Sequence, residues 1–325
     1  MVGSTIRVTF EEPSHFLDKT MAFKISTNED KFFAEIFGVD LSTSLSSTEK
    51  ADLLEAAHEN AVLLFRNQKL NEEQHLNMSR QFGGLETTIQ RGRKRRVRPE
   101  FADISNLDWD GTMLESDSGR AIYSSANQLW HSDASFRANP PKFSFLYAEE
   151  VVESGGETEF CDERAAWDAL DPDMKEKIDG LVAWHSLMES RRRIGFAEFT
   201  DGERLAFPSV LQPIVRTHPA TGRKNLFLGA HASHIENLER ADGARLLDDL
   251  VEFATQECFV RSHTWSVGDL IMWDNRCVLH RGRPFNATME RRVMRRTTIS
   301  GDGPIVVNGR PINELVSHGA LNELI

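Results

Sequence analysis

The chain is poor in the features that mark several broad protein classes. It has only three cysteines, Cys161, Cys258 and Cys277, in 325 residues. They are odd in number, widely spaced and form no CxxC, so neither a disulfide framework nor a zinc knuckle is indicated and a reducing compartment is expected. No stretch approaches the ~18 apolar residues a membrane helix needs, and the opening "MVGSTIRVTFEEPSHF" lacks the apolar core of a secretory signal. Positive charge is not in excess either. The formal net charge of -12 argues against a general nucleic-acid or acidic-membrane binder, although it leaves room for a local basic site. No internal repeat and no Pro-, Gly- or Ser-rich linker divides the chain. These absences predict a soluble cytoplasmic protein with no nucleic-acid or membrane partner. It is expected to be a single domain over residues 1–325, with a C-terminal extension at about 302–325.

What is present reads as an ordinary globular chain, 40% hydrophobic and 27% charged. "SSTEKADLLEAAHENA" predicts a helix opened by a capping box between Ser46 and Glu49, and "NEEQHLNMSRQFGG" a second one capped by Asn71 and stopped at Gly83. "AVLLFRNQ" reads as a strand between them. From about residue 101 short strands alternate with turns: "FADISNL", "NQLWHSD", "KFSFLYAEEVV", "GGETEFCD", "PIVRTHP", "KNLFLGA", "HTWSVGDLIMWDN" and "RRVMRRTTIS". "DERAAWDALDPDMKEKIDGL" is helical but broken at Asp171-Pro172, and "ADGARLLDDLVEFATQ" is helical. Many short strands with inserted helices predict a mainly β fold, a sandwich or jelly roll.

The chemistry begins in "NQLWHSDASF". Residues two apart on a strand face the same way, so His131 and Asp133 can reach one metal ion together. Alone, an HxD pair is common in proteins that bind no metal. A second histidine, His280, follows the apolar run in "DLIMWDNRCVLHRGRPF", and two histidines with one carboxylate leave open positions on a metal, as non-haem Fe(II) oxygenases require. Then "RRVMRRTTIS" places Arg292 and Arg296 on one strand face. Two inward guanidinium groups are costly without anions and suit two carboxylates, while Arg291 and Arg295 would face water. The alternative is a solvated edge of four arginines.

These segments carry a resemblance. "ANQLWHSDASF", "SGGETEFCDERAAWDAL", "VRTHPATGRKNLFLGAHASH", "VGDLIMWDNRCVLHRGRPF" and "RRVMRRTTI" resemble, in order and spacing, the Fe(II)/2-oxoglutarate dioxygenases of the taurine dioxygenase and 2,4-dichlorophenoxyacetate dioxygenase family, most of all its phenoxyacetate branch. The resemblance implies a double-stranded β-helix (jelly roll). It implies His131, Asp133 and His280 as ligands of Fe(II), with Thr158 and Arg292 holding the distal carboxylate of 2-oxoglutarate. Arg296 would bind the substrate's anion, Asn127 would lie on the substrate side, and Trp273 would flank the iron while Trp130 packs away from it. His218 and His231 would lie near the substrate or be buried hydrogen-bonding residues. The co-substrates would be 2-oxoglutarate and O2, with ascorbate as a stimulant. The implied reaction hydroxylates a small carboxylate-bearing substrate. An aryloxyalkanoate would be cleaved to a phenol and an oxo acid. A sulfonate or an amino-acid-type metabolite is the alternative, and a non-catalytic 2-oxoglutarate sensor is the alternative of another class.

Two stretches fall outside this pattern. "RGRKRRVRPE" is strongly basic; Lys94 to Arg98 are expected to be a solvated loop and Arg91 to meet an anionic substrate at the pocket entrance, with a nuclear-import signal as a weaker option. "VVNGRPINELVSHGALNELI" is expected to pack either on a second copy of the chain, giving a homo-oligomer, or on the sheet itself.

Overall fold

The computed structural model describes residues 21–88, 94–303, 305–307 and 310–312. The first strands, β1 (Lys24–Thr27) and β2 (Phe33–Phe37), lead to helix α1 (Ser47–Asn60), β3 (Val62–Phe65), α2 (Glu72–Arg80) and β4 (Ala102–Ser105). A short helix α3 (Gly119–Ser125) precedes β5 (Phe143–Glu150), β6 (Thr158–Asp162), α4 (Glu163–Ala169) and α5 (Pro172–Ile178). Next come β7 (Val182–His185), α6 (Leu187–Arg192), α7 (Asp201–Ala206), β8 (Val210–Pro213), β9 (Val215–Thr217), β10 (Lys224–Leu226) and β11 (Ala232–Ile235). Helix α8 (Arg240–Ala254) is followed by β12 (Val260–His263), β13 (Leu270–Asp274), β14 (Val278–Gly282) and β15 (Val293–Ile299).

The predicted caps are present. Ser46 and Glu49 form a reciprocal box at α1, Asn71 and Gln74 another at α2, and Asp171 caps α5 with Pro172 in its first turn. Seven strands form one sheet in the order β1-β2-β3-β13-β5-β15-β4, in which only the β2–β3 pair is parallel. A smaller sheet, β12-β6-β14, faces it.

The two-residue period of each strand decides which face goes where. On the large sheet Leu63, Phe65, Phe143, Phe145, Leu270 and Met272 point outward to Leu53, Ala57 and Met78 of α1 and α2. The alternate residues Val62, Leu64, Leu146, Ile271, Trp273 and Met294 point inward and meet Phe160 and Val278 of the small sheet. This sandwich is the predicted jelly roll, open rather than closed into a barrel. A third sheet, β11-β7-β8, is backed by α8 through a cluster that includes Leu246, Leu247 and Leu250. The tail partly covers that third sheet, with Ile305 and Ile312 buried against Val182, Leu211 and Phe227. No helix among the described residues is long and apolar enough to cross a membrane.

Two local readings need correction. "NQLWHSD" is not a strand: Ala126–Gln128 is a 3-10 turn, His131 makes a single bridge to His280, and the chain turns at once through Ala134 in the left-handed region. Arg295 is not in water. It does lie on the outer face, but α2 covers that face, so its guanidinium is buried against Glu149 at 3.0 Å, the Leu70 carbonyl at 3.1 Å and the rings of Phe101 and Tyr147.

Candidate active site

His131 and His280 are joined backbone to backbone, each amide donating to the other's carbonyl at 3.0 and 2.9 Å. The rung brings the imidazoles to 4.2 Å between centroids. His131 Nδ1 lies 2.7 Å from the Leu129 carbonyl, which fixes the proton on Nδ1 and leaves the Nε2 lone pair free. Asp133 Oδ1 lies 3.9 Å from His131 Nε2 and 3.7 Å from His280 Nε2, while its Oδ2 accepts from Ser144 at 2.6 Å. All three side chains are buried, and one ligand atom from each falls within 4.8 Å of the others. Burial lowers both imidazoles below their ordinary pKa. Burial alone would raise the Asp133 carboxyl, but first the Arg296 guanidinium and then the Ser144 hydrogen bond hold it below its usual range. Two neutral nitrogens and one carboxylate, dry and convergent, are the donor set of a divalent-metal site with open positions.

Two cavities meet at this cluster and share His131, Asn127 and Arg296. The smaller, about 190 Å³, is lined by Thr158, Trp273, His280 and Arg292. Arg292 precedes β15, and the β15 ladder is bulged between Val293 and Met294, so the simple alternation read from the sequence does not hold; the side chain reaches the chamber from the strand's mouth. Its Nε donates to the Gly156 carbonyl at 3.1 Å, and burial pushes its pKa down to about 10. No carboxylate lies within ion-pair distance of Arg292 among the described residues, and Glu157 acts on it only from farther off, so this buried guanidinium faces the chamber with a carbonyl as its hydrogen-bond partner. Gly156 has a φ of +68° and a β-carbon there would lie 3.2 Å from Arg292 Cδ, which explains the second glycine of "SGGETEF". Trp273 lies 4.6 Å from His280 with its ring tilted by 51° and donates its indole proton to Asn275. Trp130 packs the other way, into the cluster around Leu228 and Leu279.

The larger cavity, about 410 Å³, opens on the other side of His131. Phe101, Tyr123, Phe136 and Phe196 supply aromatic wall, and His231 lies 4.8 Å from the Phe136 ring. Burial first and then the nearby Arg191 keep His231 well below its ordinary pKa, hence neutral. Charged side chains crowd the rim: Lys94, Arg95, Arg96, Arg120, Arg137, Arg191 and Arg296 outnumber Glu86, Asp103, Asp133 and Glu198. Arg296, on the inner face of β15, reaches Asp133 Oδ1.

The described part of the basic segment is half-exposed, as a solvated loop would be, but it is anchored at every basic residue. Arg96 and Arg120 both grip Asp103, at 2.5–2.9 Å, and Arg95 donates twice to Thr88 at 2.9 Å. Lys94 sits 3.5 Å over the Trp109 ring and Arg98 pairs with Glu73 at 2.7 Å. The partners are mixed: Asp103 and Thr88, each seven residues away, the Trp109 ring, and Glu73 on α2. Arg91 lies outside the described residues.

His218 lines neither cavity, which corrects its reading as a substrate residue. Two backbone amides, of Ala220 and Thr221, point at its Nδ1, so the proton sits on Nε2 and is donated to Asp274 at 3.0 Å. His218, Asp274 and Cys277 also come together as donor atoms, but both ring nitrogens are engaged and burial raises the Cys277 thiol well above its usual pKa. Tyr123, Phe136, Arg191, Phe196 and the Arg96–Asp103–Arg120 clasp were not legible in the sequence, because no motif joins residues that only the fold gathers.

The profile of the family described as taurine catabolism dioxygenase TauD, TfdA matches residues 23–298. The chain belongs to the TauD/TfdA dioxygenase family. Its relatives include an alpha-ketoglutarate-dependent 2,4-dichlorophenoxyacetate dioxygenase of Cupriavidus pinatubonensis, 45% identical over 82% of this chain and 94% of that protein. They also include an (S)-phenoxypropionate/alpha-ketoglutarate-dioxygenase of Sphingobium herbicidovorans, 38% identical over 86% of this chain and 96% of that one. Among solved structures, AAD-2 in complex with Mn(II) and N-oxalylglycine superposes with a TM-score of 0.82 at 42% identity, covering 89% of this chain and all of that one. This TauD/TfdA enzyme is therefore an oxidoreductase of the 2-oxoglutarate-dependent class, with the jelly roll its sequence predicted.

Proposed function

We propose that this dioxygenase hydroxylates a small carboxylate-bearing substrate of the aryloxyalkanoate type beside its ether oxygen, so that the product collapses to a phenol and an oxo acid. The observation that carries the reading is the larger cavity: an aromatic wall beside the His131–Asp133–His280 cluster, with Arg296 between them. The wall suits an aryl ring, and the guanidinium suits a carboxylate through paired hydrogen bonds. Held by both ends, the substrate would turn the carbon next to its carboxylate toward the metal cluster.

His131, Asp133 and His280 would hold Fe(II), and Thr158 and Arg292 the distal carboxylate of 2-oxoglutarate in the smaller cavity. Together with O2, these groups supply the oxidising chemistry, leaving succinate and CO2. The chain's own residues do the rest. Arg292 neutralises a buried carboxylate, Trp273 and Phe160 keep water from the His280 side, and the neutral His231 adds a polar edge without competing for the anion. Asn127, shared by both cavities, is placed to contact either ligand. The buried free cysteines Cys161 and Cys277 support work in a reducing compartment such as the cytoplasm, and the packing of Ile305 and Ile312 on the third sheet supports a single domain.

The test is a panel of aryloxyalkanoates, sulfonates and amino acids, scored for substrate-dependent succinate formation with Fe(II), 2-oxoglutarate and ascorbate. Aryloxyalkanoates should give the highest kcat/KM, with release of the phenol. Succinate driven only by a sulfonate would overturn the substrate class, and no succinate with any substrate would favour the sensor reading.

A further inference from the structure

We propose that Trp265 is a positioning residue for 2-oxoglutarate, acting through Thr158. The proposal rests on the reading of Thr158 and Arg292 as the carboxylate site. Trp265 Nε1 lies 3.0 Å from Thr158 Oγ1, and both side chains are buried. An indole N–H can only donate, whereas a threonine hydroxyl has one proton and two lone pairs. The indole therefore occupies a lone pair and bars the hydroxyl proton from that direction. No other acceptor for that proton lies within hydrogen-bond reach among the described residues, and Thr158 lines the small cavity with Arg292. The proton is thus presented to the cavity, where a carboxylate can take it. Without the indole the hydroxyl could rotate, and a buried donor would have to be reoriented each time an anion bound.

The indole itself is held from behind. His263 pairs with Thr158 across the β12–β6 ladder, and its ring meets the Trp265 ring edge to face at 4.8 Å. His263 Nε2 is 3.0 Å from Asp269 Oδ2, which also accepts from Ser266 N at 2.9 Å and from Arg66 Nη1 at 2.9 Å. His263, Trp265 and Asp269 of the segment "HTWSVGD" thus form a buried brace running from a half-exposed arginine to the hydroxyl. The brace lies behind the small cavity and touches neither the metal cluster nor the larger cavity.

The experiment titrates N-oxalylglycine into the Mn(II)-loaded protein by calorimetry, for wild type, Trp265→Phe, Thr158→Val and the double variant. Each single change should weaken binding by about three- to tenfold, the size of one hydrogen bond. Adding Trp265→Phe to Thr158→Val should cost less than about a further twofold, because the hydroxyl it orients is already gone. In turnover the Trp265→Phe enzyme should show a raised KM for 2-oxoglutarate with kcat nearly unchanged. Equal weakening in both backgrounds, or none in either, overturns the positioning role. A Thr158→Val protein that binds N-oxalylglycine as wild type does overturns the carboxylate site itself. Where Trp265→Phe folds poorly, benzothienylalanine at position 265, the same ring shape without the N–H, gives the same readout.

Discussion

The two cavities on either side of His131 are built by opposite rules. The smaller holds one buried guanidinium and takes Thr158, His280 and Arg292 from β6, β14 and the entry to β15, with α3 and the 103–116 loop closing its other side. The larger draws on the 94–98 segment, α3, the turn after Asp133 and α6, and its charges are numerous and mostly paired with one another. The difference teaches where specificity resides. A ligand that never changes can be met by a fixed strand-borne socket, whereas a ligand that varies among relatives is met by loops and helix ends.

The sharpest way to break this comparison is to remove what both sides share. His131→Ala should lose divalent metal by more than the roughly 10–100-fold that follows loss of a mere outer partner, and activity with it. Metal stoichiometry by atomic absorption checks this, and a fully loaded variant would sink the metal assignment. Next come the arginines that divide the two sides. Arg292→Ala should weaken 2-oxoglutarate and Arg296→Ala the primary substrate, each by roughly 2–5 kcal/mol, since each strands a buried carboxylate. Separate KM measurements decide it: if both variants affected 2-oxoglutarate alone, the two sides would not be distinct. A smaller effect is expected at the rim. Neutralising Arg95 and Arg96 should reduce kcat/KM for anionic substrates several-fold at low salt and hardly at all near ~1 M, where the screening length is about 3 Å. An equal loss at both salts would mean that the rim acts by shape.

An effect on stability alone, with none on binding, comes from neither cavity. His75, fully buried under the large sheet, has its pKa pushed down to about 3 by burial and by Arg295. A histidine that stays neutral when folded takes up its proton only on unfolding, so stability falls as pH drops below the unfolded value near 6.5. Between pH 7.5 and 5 this one group should cost about 2 kcal/mol. His75→Gln should flatten the decline of Tm over that range without moving either KM. His185, also held near 3, would leave part of the slope in place.

The same division explains what the sequence could tell. The α1 and α2 caps, the break at Pro172 and the apolar alternation of β3, β5 and β13 are local rules, and they were legible. The convergence of His131, Asp133 and His280 could be expected from an HxD pair and a distal histidine, whereas the placing of Thr158 beside Arg292 in one chamber follows only from the family resemblance. The burial of Arg295 was not, since only α2 lying across the sheet decides it. His218 looked like a site histidine because it lies in a family-like segment, yet two amides of its own turn capture the ring. The clasp on Asp103 joins residues up to 24 positions apart through space, and composition showed only a basic run.

The rung between His131 and His280 also sets a clock. Its two amide protons are caught between segments that belong to the hydrogen-bonded core, beside the β6–β14 ladder. They can trade with solvent deuterium only when this single rung opens, and Ser132 on the Asn275 carbonyl, the Ala230 amide on the Trp130 carbonyl and Ser144 on Asp133 tie its turn to the core and hold it shut. The metal centre is then not a soft spot that frays ahead of the scaffold. Heat should take the site and the fold together, so that the rate at which the enzyme is inactivated at high temperature reports the unfolding of the sandwich itself.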